Sequence, residues 1–142
     1  MKLALKTLFL VLVVFGTSCK KEEKEIQKKL ILLTSPAGWI MEKTELAIGD
    51  TWEDITSYTP PIDADNILTL YPTYEWKKEE GATKLPENAQ LIGFGYWSLI
   101  DKQSKIQFED GDLLEITNLT KDQLQVTVAE NIFIKRYTYM HP

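Results

Sequence analysis

The sequence predicts an all-β fold: an up-and-down antiparallel β-barrel of about eight strands, preceded by one short N-terminal helix. Three observations carry this expectation. From residue 39 onward, apolar and polar side chains tend to alternate with the period of two that a half-buried strand requires. These runs recur every 8–12 residues or so, with turn residues between them. The connections are short, which favours pairing between strands that follow one another in the chain. A chain of 142 residues has the length of one domain, and 44% hydrophobic with 26% charged residues is an ordinary globular balance.

The chain opens on an address. Lys2 and Lys6 give a positive start, Leu8 to Phe15 is an unbroken apolar run, and Gly16, Thr17, Ser18 and Cys19 follow. That run is too short for a membrane-crossing helix, which takes about 20 residues, so residues 1–18 read as a signal peptide. Gly16-Thr17-Ser18-Cys19 resembles a bacterial lipobox. The resemblance implies cleavage between Ser18 and Cys19 and lipid on Cys19; the plainer alternative is an ordinary signal peptide with an incidental cysteine. Cleavage removes two lysines and leaves 14 basic against 21 acidic residues, a net charge of −7. An acidic body does not favour nucleic acid or anionic membrane surfaces. Membrane attachment then falls to the lipid, whose buried CH₂ groups contribute about 0.8 kcal/mol each and which needs two or more acyl chains for stable anchoring.

Residues 19–29 read as a lipidated tether and the start of a short helix, and residues 30–142 as the barrel domain. Lys21-Glu22-Glu23 reads on composition as part of a solvated tether. It also resembles the export signal of Bacteroidetes surface lipoproteins, which implies a position on the cell surface rather than on the inner side of the outer membrane. Over 22–33, Ile26, Leu30 and Leu33 fall at helical spacing, Glu25 and Lys29 form a favourable i,i+4 pair, and Pro36 ends the helix. Strands are predicted over 39–46 and 52–58, with a turn at Gly49-Asp50. Pro60 and Pro61 make 59–65 a loop. Strands follow over 67–71 and 74–77, then a polar loop over 78–88. Cleaner strands follow over 91–100, 105–108, 113–119, 124–128 and 132–140, with Asp110-Gly111 as a tight-turn signal. Alternation places Trp97, Leu99, Ile106, Phe108, Ile116, Leu124, Val126 and Val128 inward. Gly93 and Gly95, inside a strand, mark a bend or a close approach of another group.

Several features together resemble the lipocalin-like lipoproteins of Bacteroidetes over residues 30–140. They are the lipobox, Gly38-Trp39 opening the first strand, Asp63-Ala64-Asp65-Asn66 leading into Ile67–Tyr71, Gly95-Tyr96-Trp97-Ser98-Leu99, and Ile116 to Thr120 followed by Leu124-Gln125-Val126. The resemblance implies a barrel with Trp39 and Trp97 at its floor and with Arg136, the only arginine, packed over Trp39. An exposed charge on an edge strand is the alternative for Arg136.

The chemistry of the remaining residues points to binding rather than catalysis. One Cys and one His argue against a multi-cysteine metal cage, a His-ligated metal or a His-based triad. Asp63-Ala64-Asp65-Asn66 lacks the Gly and terminal Glu of a calcium loop. There is no phosphate-binding glycine loop, and no cofactor is expected. A pair of carboxylates assembled by the fold would be the one route to a hydrolase. The candidate ligand-binding residues are Trp52 and Trp76, near loop ends, with Tyr71, Tyr74 and Tyr96; core packing is the alternative role for the tryptophans. The expected function is that of a non-enzymatic envelope lipoprotein holding a small apolar or amphipathic ligand. The alternative is a filled barrel that docks an outer-membrane protein.

Overall fold

The computed structural model describes residues 21–142; the expected signal peptide, its cleavage site at Ser18 and the lipidation site Cys19 lie outside the described residues. Helix α1 covers residues 21–33. Strands β1 (Trp39–Ile48) and β2 (Thr51–Asp54) form a hairpin. A 3-10 turn (Thr56–Tyr58) and a one-turn helix α2 (Pro61–Ala64) lead to β3 (Ile67–Leu70). Then come β4 (Glu75–Glu79), β5 (Leu91–Ile100), β6 (Lys105–Phe108), β7 (Leu113–Leu119), β8 (Gln123–Glu130) and β9 (Phe133–Met140). All pairings are antiparallel. β1, β3, β4, β5, β6, β7, β8 and β9 pair in that order, and β9 returns to β1, so eight strands close into a barrel. β2 is an extra strand, paired to the C-terminal half of β1 beyond the point where β3 stops.

The connections define two ends. The β3–β4, β5–β6 and β7–β8 turns, the C-terminus of β9 and helix α1 lie at one end, the floor. The β1–β2 and β8–β9 tips, α2, the long β4–β5 loop and the β6–β7 turn lie at the other, the rim. α1 is fixed to the floor by Leu33, fully buried, by Leu30, packed on the core, and by Lys29 Nζ, which donates to Gln103 O at 2.9 Å. The helix runs through residues 21–25, so Lys21, Glu22 and Glu23 sit exposed on its first turn rather than on an open tether.

The core lies in the floor half. Leu33, Trp39, Leu70, Trp97, Ile106, Phe108, Leu124 and Val126 are buried there. A fully buried side chain of this size contributes about 1.5–3 kcal/mol. Of the eight residues expected to face inward, five belong to this cluster and Leu99 and Ile116 pack against it. Val128 lies on the same face as Val126 and lines the rim cavity described below. Register shifts at Met41/Lys43, Lys78/Glu79 and Ile116/Asn118 bend the wall, as closure of a barrel requires.

Two expectations are corrected. The strand over 52–58 ends early, at Asp54, whose Oδ1 accepts from Thr56 N (2.9 Å) and Thr56 Oγ1 (2.6 Å). A side chain that bonds the backbone two residues on replaces a ladder bond with a turn. The polar loop begins later than expected, because Lys78 and Glu79 still pair with β3 and β5.

Candidate functional site: a half-polar cavity at the rim

The floor is sealed by aromatic packing. Trp39 is fully buried, and its Nε1 donates to Leu33 O at 2.9 Å, which satisfies a carbonyl in the last turn of α1. His141, not Arg136, stacks on Trp39, with ring centroids 4.1 Å apart and its Nδ1 2.6 Å from Gly38 O. Gly38 has φ +73°, and a Cβ there would come within 2.6 Å of Ile67 Cγ2, so the β1 entry requires glycine. Trp97 donates from Nε1 to Glu75 O at 3.0 Å. Trp76 lies across Gly93 and Gly95: Cβ atoms on those residues would sit 3.1 and 3.0 Å from its ring. The two glycines are therefore the slot that admits the indole, which also meets Phe108 edge-on at 5.5 Å. The buried Nε1 of Trp76 has no hydrogen-bond partner among the described residues.

Above this floor a cavity of about 780 Å³ opens at the rim. Its inner wall includes Met41, Lys78, Leu114, Val128, Glu130, Tyr137 and Tyr139, with Asp63 and Asn66 at the α2 edge. These side chains share one face because their strands are in register. Met41 is opposite Tyr139 on the β1–β9 ladder, and Val126 is opposite Tyr137 on β8–β9. β7 and β8 pair only as far as Glu115 and Thr127. Leu113, Ala129 and Ile134 line the cavity beyond that point. Leu113 and Ile134 are exposed, as are Ile132 and Phe133 at the neighbouring tip, so the wall opens beside apolar residues.

The polar groups of the cavity are ordered. Glu130 Oε2 accepts from Lys135 Nζ (2.6 Å) and Oε1 from the Tyr137 hydroxyl (2.7 Å). Burial pushes the Glu130 carboxyl up, but those two hydrogen bonds outweigh it and hold the group below its ordinary value. Burial and the Glu130 carboxylate push Tyr137 up, and burial pushes Tyr139 up to about 12. Asn66, buried, is oriented to donate to Ile62 O (3.1 Å) and Glu80 Oε2 (3.3 Å). Asp65 accepts from Thr83 N and Thr83 Oγ1, both at 2.8 Å, tying the β4–β5 loop to α2. The Thr83 backbone amide is the main reason its carboxyl lies below the ordinary range. The carboxyls of Glu45, Asp54, Asp65, Asp101 and Glu130 are all held below their ordinary values, so these are ionised carboxylates and not proton donors at neutral pH.

The residues expected to bind ligand are not those that line this cavity. Trp52 lies on the outer face, its ring 4.3 Å beneath the Arg136 guanidinium. Arg136 Nε also donates to Glu45 Oε2 at 2.7 Å, and Lys43 Nζ to Glu45 Oε1 at 2.8 Å. The single arginine thus holds the extra strand β2 against the wall, where a cation over an indole contributes on the order of 0.5–2 kcal/mol. Tyr71 and Tyr74 sit at the floor-end turn, Tyr74 with φ +64° and its ring 5.4 Å from Trp97. Tyr96 is 60% exposed on the outer face of β5. Trp76 fills the floor. Sequence reasoning missed Lys78, Tyr137 and Tyr139: the spacing of Tyr137 and Tyr139, two apart on β9, puts them on one face, whereas Lys78 falls at the start of the expected polar loop and joins Trp76's face only because β4 runs on to Glu79.

Comparisons of the chain with protein-family models, with curated proteins and with solved structures find no match.

Proposed function

We propose that this chain is a lipocalin-like envelope lipoprotein, anchored to the outer membrane through lipid on Cys19, that reversibly holds a small apolar or amphipathic molecule in its rim cavity. The observation that carries the reading is the cavity. Its volume of about 780 Å³ lies within the range of small-molecule sites, about 300–1,000 Å³. Apolar and aromatic walls with a few fixed polar groups are the usual composition of such sites. Helix α1, which follows Cys19 in the chain, packs at the floor through Leu30 and Leu33, at the end opposite the cavity. On the resemblance of Lys21-Glu22-Glu23 to an export signal, the barrel faces outward; protease added to intact cells would then digest it, and protection would place it on the inner side.

The test of binding is a titration with N-phenyl-1-naphthylamine, a neutral apolar fluorophore whose emission rises in apolar surroundings. Wild-type protein should enhance emission saturably, and Leu114→Trp, which narrows the cavity of about 780 Å³ without filling it, should weaken the enhancement. No saturable enhancement, or equal enhancement by the narrowed variant, would overturn the reading.

One observation favours the second reading, docking of a membrane partner. Ile92, Phe94 and Tyr96 are exposed along the outer face of β5, Phe94 to 75%. Pairing of β5 with β6 ends at Trp97↔Phe108, which leaves the N-terminal half of β5 with an open edge. Such an edge accepts an extended segment. A photo-crosslinker at Phe94 should then capture one discrete partner on whole cells, and a crosslinker at Lys102 should not.

A further inference from the structure

We propose that the molecule held in the rim cavity is a single-chain amphiphile with a carboxylate head, and that Lys78 is its counter-ion. The inference rests on the cavity-binding reading and names the ligand class. Lys78 lies on β4 between β3 and β5, opposite Leu68 on one side and Gly93 on the other. The space over Gly93 is taken by the ring of Trp76, two residues before Lys78 on β4. Lys78 lines the cavity and makes no ion pair or hydrogen bond among the described residues.

The other charges around the cavity are already compensated or solvated. Both oxygens of Glu130 are taken by Lys135 and Tyr137. Lys105 pairs with Asp101 at 2.8 Å. Glu80 accepts from the amides of Asn66 and Asn88. Asp63, Asp112 and Glu115 are exposed to solvent. Lys78 is left as the one half-buried charge in the cavity without a partner among the described residues, in a lining it shares with Met41, Leu114 and Val128. A half-buried ammonium facing an apolar wall gains from a charged or hydrogen-bonded partner, and a carboxylate supplies one. The Tyr139 hydroxyl, which burial keeps protonated well above neutral pH, is a further donor in the same cavity. The apolar wall then takes the chain of the amphiphile, and the gap beside Leu113 and Ile134 gives it a route in.

The test compares decanoate with decan-1-ol by isothermal titration calorimetry at pH 7.5, two probes with the same chain and different heads. Wild-type protein should bind decanoate at least about tenfold more tightly, the size expected of one charge-assisted hydrogen bond. Lys78→Met should bring decanoate to the affinity of decan-1-ol and leave decan-1-ol unchanged, and Lys78→Arg should restore the preference. Equal binding of the two probes by wild type overturns this inference and leaves cavity binding standing. A preference that survives in Lys78→Met also overturns it. Binding of neither probe overturns the cavity reading and this inference together. The wild-type comparison decides the matter even if Lys78→Met does not fold.

Discussion

Trp39 and Trp76 are the same residue type in the same floor, and replacing each by Phe should give opposite results. Trp39→Phe removes part of a fully buried ring, which costs roughly 1–2 kcal/mol in lost burial and residual void. It also removes the donor to Leu33 O, leaving a helix-terminal carbonyl unpaired in a dry site, for about 1–3 kcal/mol more. The expected loss is therefore about 2–5 kcal/mol. Trp76 is only partly buried, so Trp76→Phe carries a smaller burial loss, and it deletes an N–H that has no acceptor among the described residues. Relief of that penalty, again about 1–3 kcal/mol, offsets the loss. The edge-on contact with Phe108 is retained by a phenyl ring, so this variant should lie within about 1 kcal/mol of wild type. Urea unfolding followed by far-ultraviolet circular dichroism measures both, because neither variant's signal then depends on the tryptophan it lacks. Equal losses, or a larger loss for Trp76→Phe, would refute the reasoning from hydrogen-bond status.

Two further outcomes follow from the floor and the outer wall. Gly38→Ala combines φ +73° with a Cβ 2.6 Å from Ile67 Cγ2 and should destabilise by about 2 kcal/mol or more; Gly49→Asn, at φ +59° in open space, should be close to neutral, and similar urea midpoints for the two would contradict this. The Glu45 carboxyl is held below its ordinary value first by the Arg136 hydrogen bond, so the pair's contribution is present above the unfolded-chain value of about 4.3 and is lost as pH falls through the lower folded value. The stability gap between wild type and Glu45→Gln should accordingly narrow from pH 6 to pH 3, and a gap independent of pH would show that the ion pair is not its source.

Periodicity made the C-terminal half of the barrel legible. β5, β6 and β7 occupy the residues that alternation assigns to them, because each is a half-buried strand bounded by a clear turn. The N-terminal half was less so, for local reasons. The register shift after Met41 puts Thr44 rather than Lys43 opposite Tyr137, and a one-residue shift exchanges the faces of everything after it. That shift also sets Glu45 opposite Arg136 on the outer face, so the arginine meets Trp52 and the histidine two residues beyond Tyr139 meets Trp39. Asp54 ends β2 through a side-chain turn that alternation does not register. Gly93 and Gly95 signalled a close approach, but only the fold shows that Trp76 makes it. The cavity depends on which inward positions carry small or long side chains at one level of the barrel, and that is a property of register across eight strands.

Methyl-resolved NMR of the protein, with Met, Leu, Val and Ile methyl groups labelled and decanoate added stepwise, tests the central claim most directly. The account predicts saturable shifts at Met41, Leu114 and Val128 on the cavity wall, with Ile92 and Ile100 on the outer face of β5 unchanged. Shifts confined to Ile92 and Ile100, or no saturable shift at any methyl, would contradict it.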